Sequence, residues 1–249
     1  MSLLKKMQSG GAIGIFSKTT DSAIIEAAGI SGLDFVILDT EHGPSSLETL
    51  HHHIRAAKLT QMDPIVRVKH IDSNAIGSAL DAGASGVQIP NINTAEQAEE
   101  AVKAARFHPH GSRGVCRFVR AAQYGDRERS SYFTEANKAT LILQVEGLEG
   151  VRNLNAIMAV EGFDVLFVGP YDLSQSVGKP GQIDAPEVTS LISSIAERAT
   201  QRNILLGAFC DTPQAAKMLK SQGFQYVSYS VDINIFLEAC KALKGIADE

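Results

Sequence analysis

The chain has 249 residues, 44% of them hydrophobic, and a formal net charge of −5 at pH 7. That apolar content supplies a sizeable core and excludes disorder as the main state, while the charge balance lacks the basic excess of a nucleic-acid-binding protein. No stretch approaches the roughly 18 uninterrupted apolar residues of a membrane span.

Taken from its start, the chain opens on Met-Ser-Leu-Leu-Lys-Lys-Met-Gln-Ser-Gly-Gly. This segment lacks the apolar core of a signal peptide, so a cytoplasmic enzyme or binding protein is expected. Eight short runs rich in Ile, Val, Leu or Phe follow, at residues 12–16, 35–39, 65–68, 86–90, 141–146, 165–169, 205–209 and 226–229. Each has the composition of a buried parallel strand. Between them lie segments of helical period such as 45–59 and 94–106, and Thr94 with Gln97 forms a capping box ahead of a helix over 95–105. Strand–helix alternation implies a parallel sheet. Eight such units in about 250 residues predict one (β/α)₈ TIM barrel over residues 1–249, although two domains of about 120 residues also fit the length. An open doubly wound sheet is the rival, but no Gly-x-Gly-x-x-Gly follows a strand.

Three further features stand out along the chain. The connection from Phe107 to about Lys138 is too long for a simple helix and carries Gly111, Gly114, Arg113, Arg117, Arg120, Arg127 and Arg129. Such an insertion binds an acidic substrate or packs on another subunit. The cysteines, Cys116, Cys210 and Cys240, are odd in number and widely spaced, which predicts buried thiols rather than disulfides or a thiolate metal site. The last helix, over 233–243, presents Ile235, Phe236, Leu237 and Cys240, an apolar face wide for a monomer, and predicts a homo-oligomer.

In a barrel of this kind the active site lies at the C-terminal ends of the strands. Five consecutive strand ends carry polar groups: Asp39-Thr40-Glu41-His42-Gly43-Pro44, Arg67, Gln88, Gln144-Val145-Glu146, and Gly169-Pro170-Tyr171-Asp172. Arg67 inside an apolar strand needs a partner, either a structural carboxylate or a site anion. Glu146 and Asp172 are two carboxylates from neighbouring strand ends. If they are more than solvated loop acids, they suit Mg²⁺ or Mn²⁺, with Co²⁺ as a further candidate. Zinc fits less well because His42 is the one histidine near the mouth. His42 sits in a turn and has the chemistry of a base near neutral pH; the bland reading is a surface histidine. His51, His52 and His53 fall in one helix, where successive side chains diverge by about 100° and cannot share a metal.

Asp39-x-Glu41-His42-Gly43-Pro44, Pro64-x-Val66-Arg67-Val68, Leu80-Asp81-x-Gly83-Ala84 and Pro109-x-Gly111-x-Arg113-Gly114 resemble the metal-dependent pyruvate aldolases of the HpcH/HpaI family, as do Gln144-Val145-Glu146 and Gly169-Pro170-x-Asp172-Leu173-Ser174. The resemblance runs in order over nearly the whole chain. It implies a (β/α)₈ barrel assembled as a homohexamer, with the last helix exchanged between partners. It implies a divalent cation held by Glu146 and Asp172 and chelated by the carboxylate and keto oxygens of pyruvate. Gln144 and the backbone from Gly169 and Pro170 to Tyr171 and Asp172 would contact the pyruvate. Arg67 would stabilise the enolate, and His42 would act as base through a metal-bound water. Asp81 is the position the resemblance assigns as the acid that raises the basicity of His42; the residues themselves favour Asp39. The chain departs from the pattern at Phe16-Ser17, where Trp is usual, at Tyr171, where Ala is usual, and at Thr40, where Gly is usual. These positions border the acceptor-aldehyde side.

The reaction so implied is reversible cleavage of a 4-hydroxy-2-oxo acid to pyruvate and an aldehyde. No lysine is expected at a strand end as a Schiff base requires, Lys69 being the nearest. Two rival functions are a citryl- or malyl-CoA-type lyase of the same superfamily, which usually carries a C-terminal extension that a chain stopping at Glu249 would lack, and a non-catalytic keto-acid-binding barrel.

Overall fold

The computed structural model describes residues 1–246. Its strands are β1 (Ala12–Ser17), β2 (Phe35–Asp39), β3 (Asp63–Arg67), β4 (Gly86–Ile89), β5 (Thr140–Val145), β6 (Val165–Val168), β7 (Leu205–Cys210) and β8 (Tyr226–Val231). They pair in parallel, in chain order, and β8 returns to β1. The sheet is a closed barrel, so the open alternative fails. The helices are α1 (Leu3–Ser9), α2 (Ser22–Ile30), α3 (Leu47–Leu59), α4 (Ser73–Asp81), α5 (Ala95–Ala105), α6 (Arg129–Ala136), the short α7 (Leu148–Arg152) and α8 (Leu154–Ile157), α9 (Pro170–Ser176), α10 (Pro186–Thr200), α11 (Pro213–Ser221) and α12 (Asp232–Ile246). No described helix is long and apolar enough to cross a membrane.

Both faces of each strand are buried, which is why the sequence reads as continuous apolar runs. Val36, Leu38, Val66, Val87, Leu141, Leu143, Leu166 and Val227 point outward into the layer shared with the helices. The alternate residues Phe35, Ile65, Ile142, Val165 and Tyr226 point inward and fill the N-terminal half of the barrel. Phe35 stacks on Tyr226 with centroids 4.0 Å apart. These rings need room, and glycines provide it: a Cβ at Gly14 would run into the Phe35 ring, and one at Gly207 would lie 2.8 Å from both Phe167 and Tyr226. α1, which the sequence reading left unstructured, places Leu3 and Met7 in the same inner cluster and plugs this end.

The long connection forms a 3₁₀ turn and α6 around a small core of Phe107, Ala122 and Tyr132. Its arginines act as internal staples. Arg117 bonds the Gly125 carbonyl, Arg120 that of Ala82 at 3.1 Å and Arg127 that of Ala121 at 3.5 Å. The expectation of buried thiols holds only for Cys210; Cys116 and Cys240 are exposed. Cys116 lies in this connection, and Cys240 lies on α12, which meets the barrel chiefly at β1 and β8.

Closure between β8 and β1 carries an irregularity: Gly14 faces Ser228, but Phe16 faces Val231, and Ser230 takes a φ of 53°. The chain then turns so that buried Asp232 accepts from Ser17 Oγ at 2.6 Å and from the backbone N–H groups of Lys18 and Thr19 at 3.1 and 3.2 Å. One carboxylate thus ties the last strand to the first at the mouth. With the Ile233 N–H also on its Oδ1 at 2.7 Å, Asp232→Ala strands four donors and is expected to cost on the order of 2–4 kcal/mol of stability, with Asp232→Asn intermediate; urea denaturation of the two variants checks this.

Candidate active site

The mouth begins with register. β2 and β3 align Asp39 with Arg67, and both side chains point into the barrel, where both are buried. The guanidinium grips the carboxylate in a two-point fork: Nε donates to Oδ1 at 2.9 Å and Nη2 to Oδ2 at 2.7 Å. Its third nitrogen, Nη1, reaches Glu41 Oε2 at 3.1 Å. Asp39 Oδ1 also accepts from the backbone N–H of Glu41 at 3.0 Å and of His42 at 3.3 Å, which shapes the turn after β2. Burial works against the charge on Asp39, but the bonds and charge of Arg67, the His42 N–H and Lys18 hold its carboxyl below the usual range. Glu41 shifts the other way, because burial outweighs the pull of Arg67 and His42. The guanidinium lies 4.7 Å from the centroid of Phe16.

On the next two strands, β4 and β5, a chain of amides leads to a second acid. Gln88 Nε2 donates to Gln144 Oε1 at 2.6 Å, and Gln144 Nε2 donates to Glu146 Oε2. Glu146 Oε1 accepts from the Asn91 N–H at 2.9 Å. Glu146 is 3% exposed and bonds no cationic side chain among the described residues. Burial pushes its carboxyl up to about 7 against the Gln144 and Asn91 bonds, and the charges of Asp172 and Glu41 add to the rise. Asp172 stands exposed in the first turn of α9. Gly169 leaves open the space beside Glu146 that a Cβ would fill.

This donor set fits a hard divalent cation: a buried carboxylate short of countercharge, a second carboxylate, and room for water or substrate oxygens. Among the described residues no three His, Cys, Asp or Glu side chains come together as a metal cage, so a cation here would rest on Glu146 and Asp172 with water or substrate oxygens completing its shell.

A single cavity at the mouth is lined by His42, Arg67, Gln144, Gly169, Pro170, Tyr171 and Asp172. Asp81 is not brought there. It lies at the end of α4 with Arg113 Nη2 on its Oδ1 at 2.5 Å, at the opposite end of the barrel. A helix that follows a parallel strand runs back toward the strand starts, so its last residue cannot meet His42 of the same chain. Asp39 meets His42 only through the backbone; the acid nearest the imidazole is Glu41, with Oε2 3.9 Å from Nε2. The ring itself is 59% exposed.

Glu41 and Gln88 were noted at the strand ends but given no role, and Lys18 was not singled out in the sequence. Gln88 was legible in principle, since it shares inward parity with Gly86 on β4. Lys18 corrects the expectation of no lysine at a strand end. It directly follows β1, and its Nζ lies 3.7 Å from Asp39 Oδ2. That ion pair differs from the free amine a Schiff base requires. His53 is buried and hydrogen-bonded to Ser22 Oγ and the Thr19 carbonyl at 2.9 and 3.0 Å, so the histidine triplet does diverge.

Residues 12–239 match the model of the HpcH/HpaI aldolase/citrate lyase family. A 2-keto-3-deoxy-L-rhamnonate aldolase from Klebsiella pneumoniae is 35% identical over 229 residues, covering 91% of this chain and 85% of the relative. The crystal structure of a family protein from Burkholderia cenocepacia superposes with a TM-score of 0.94 at 30% identity, covering 99% of both chains. That of a citrate synthase, SbnG, gives 0.87 at 33% identity, covering 100% of this chain and 99% of the other.

The raised carboxyl of Glu146 has a sign that can be measured. A native-state value near 7 lies above the unfolded value of about 4.3, so the metal-free native state binds the extra proton between these limits. Stability should therefore fall as pH rises from about 4.5 to 7. Glu146→Gln should flatten that slope, and Mg²⁺ or Mn²⁺ added to the wild type near pH 6.5 should release protons. Urea titrations at several pH values and a pH-stat experiment check both.

Proposed function

The chain belongs to the HpcH/HpaI aldolase/citrate lyase family, and on that footing we propose that it is a divalent-metal-dependent carbon–carbon lyase that cleaves a 4-hydroxy-2-oxo acid reversibly into pyruvate and an aldehyde. The observation that carries the proposal is a buried, forked Arg67 on the wall of a cavity whose Gln144 is hydrogen-bonded to a buried, cation-deficient Glu146 and whose rim carries Asp172. Cleavage pushes an electron pair onto the C2 oxygen of the departing pyruvate. A positive group fixed beside that oxygen lowers the barrier because it needs no reorganisation as charge develops. Arg67 is held for that task by Asp39 and Glu41.

Glu146 and Asp172 hold the cation, Mg²⁺ or Mn²⁺, which when bound supplies Lewis-acid polarisation of the keto oxygen. Gln144 spends one amide hydrogen on Glu146 and keeps the other for the pyruvate, alongside the backbone from Gly169 and Pro170 to Tyr171 and Asp172. His42 takes the C4 hydroxyl proton in cleavage and the methyl proton of pyruvate in synthesis. Its exposed ring returns that proton to solvent.

The same reading includes assembly. α12 leaves Ile233, Phe236, Leu237, Leu243 and Ile246 exposed on one terminal helix, more apolar area than a free helix carries without a partner. We infer a homohexamer in which this helix is exchanged between subunits. Sedimentation at micromolar concentration should give an oligomeric mass, and a monomer would contradict it.

Oxaloacetate separates the two catalytic assignments. Its decarboxylation forms the pyruvate enolate but needs no base. Arg67→Ala should slow aldol cleavage, methyl-proton exchange and oxaloacetate decarboxylation alike, by about 100-fold or more, with Arg67→Lys a poor rescue. His42→Ala should nearly abolish the first two and spare most of the third. The three rates at saturating metal, with a CoA-thioester arm for the rival lyase, decide the matter. Equal losses in His42→Ala remove the base, and normal decarboxylation in Arg67→Ala removes the enolate role.

A further inference from the structure

The rim of the mouth is asymmetric, and the side chains on its far side have not been used by the chemistry above. There the hydroxyl of Tyr171 donates to Asp211 Oδ2 at 2.6 Å. Tyr171 begins α9 after β6, and Asp211 follows β7, so two adjacent strand ends are latched across the cavity. The Tyr171 ring is set by an aromatic relay: it stands edge-on to Phe209 at 5.8 Å, and Phe209 stands edge-on to Phe16 at 5.9 Å. Phe16 is the ring beneath Arg67. The latch is therefore mechanically continuous with the residue proposed to face the enolate.

We propose that Tyr171 and Asp211 form the acceptor end of the site and select an uncharged, hydroxylated aldehyde over one bearing a distal carboxylate. This rests on the aldolase reading. A carboxylate with one oxygen occupied by Tyr171 has a second oxygen, Oδ1, that bonds no described residue and can accept from a substrate hydroxyl. Ser230 and Asn234 line the same side of the cavity, and Asn234 Nδ2 donates to Ser230 Oγ at 3.1 Å, so further hydroxyl-compatible groups stand there. A carboxylated aldehyde would meet Asp211 as a like charge. Nor would it find a free cation, because both Lys18 and Arg67 already face Asp39, at 3.7 and 2.7 Å. Recognition by accepted hydroxyls together with rejection by like charge is how such a rim discriminates.

The test compares glyceraldehyde with succinic semialdehyde as acceptors for pyruvate, with pyruvate methyl-proton exchange in the absence of any aldehyde as the control for the pyruvate half. The wild type should prefer glyceraldehyde in kcat/KM. Asp211→Asn, which can still accept from Tyr171, should erode that preference by roughly tenfold, chiefly through the aldehyde KM. Asp211→Lys should reverse it. Both variants should keep proton exchange, which also verifies that they fold. If the wild type exchanges protons yet prefers succinic semialdehyde, or if both substitutions leave the preference unchanged, the acceptor assignment is overturned while the aldolase reading stands. Absence of exchange in the wild type overturns the aldolase reading and this inference with it.

Discussion

An arginine buried inside a strand cannot be tolerated without a fixed anion, and the mouth of this barrel is built around that requirement. Parallel register between β2 and β3 sets Asp39 opposite Arg67, so the partner comes from the backbone ladder rather than from a flexible loop. The two-point fork then fixes the plane of the guanidinium. Because Asp39 also holds the N–H groups of Glu41 and His42, the same carboxylate that neutralises the arginine shapes the turn bearing the imidazole. Removing either partner would leave the other buried charge with only its weaker contact, Glu41 for Arg67 or Lys18 for Asp39.

The wall two strands further on follows the converse rule. Glu146 is buried with hydrogen-bond donors but no cation among the described residues, and its carboxyl rises accordingly. A group so placed is poorly satisfied by the protein alone. The Gln88–Gln144 relay orients it rather than neutralising it, leaving its charge to be balanced by whatever enters the cavity. The site thus sets a positive group satisfied by protein against a negative group that is not, an arrangement suited to drawing a cation and an oxyanion into adjacent positions.

Much of this was legible in the chain because the barrel imposes one rule eight times. Each strand run was recognisable from its apolar composition, and polar residues at five consecutive run ends pointed to a single mouth. Asp172, Arg67 and His42 do line one cavity, and Glu146 lies beside it, bonded to Gln144. What failed to show was whatever depends on geometry beyond one element. α1 reads as a polar leader, yet its Leu3 and Met7 plug the barrel floor, which only the assembled interior reveals. Asp81 carries a familiar motif, but the direction of α4 takes it to the other end. Lys18 follows the first strand run without a signal of its own, and the Asp232 clamp is what fixes it at the mouth. The tertiary bond between Tyr171 and Asp211, 40 residues apart, has no local signature at all.

The rim contacts that escaped the sequence reading did so for a physical reason. Inward residues deep in the barrel are constrained by packing on every side, so their identity is dictated by the neighbouring strands and shows as pattern. Phe35 against Gly14, or Gln88 against Gln144, could not change alone. At the rim each residue has solvent on one side and is held by single bonds, such as Tyr171 to Asp211 or Asn234 to Ser230. Such bonds can be replaced one at a time without disturbing the core. A barrel of this kind can therefore keep the buried half of its site, proposed above to hold the pyruvate unit, while its rim is rewritten for different partners of that unit. The relay from Tyr171 through Phe209 and Phe16 to Arg67 is where the two halves meet, so a change at the rim is transmitted to the pyruvate half only through packed rings, which resist displacement far better than a loop would.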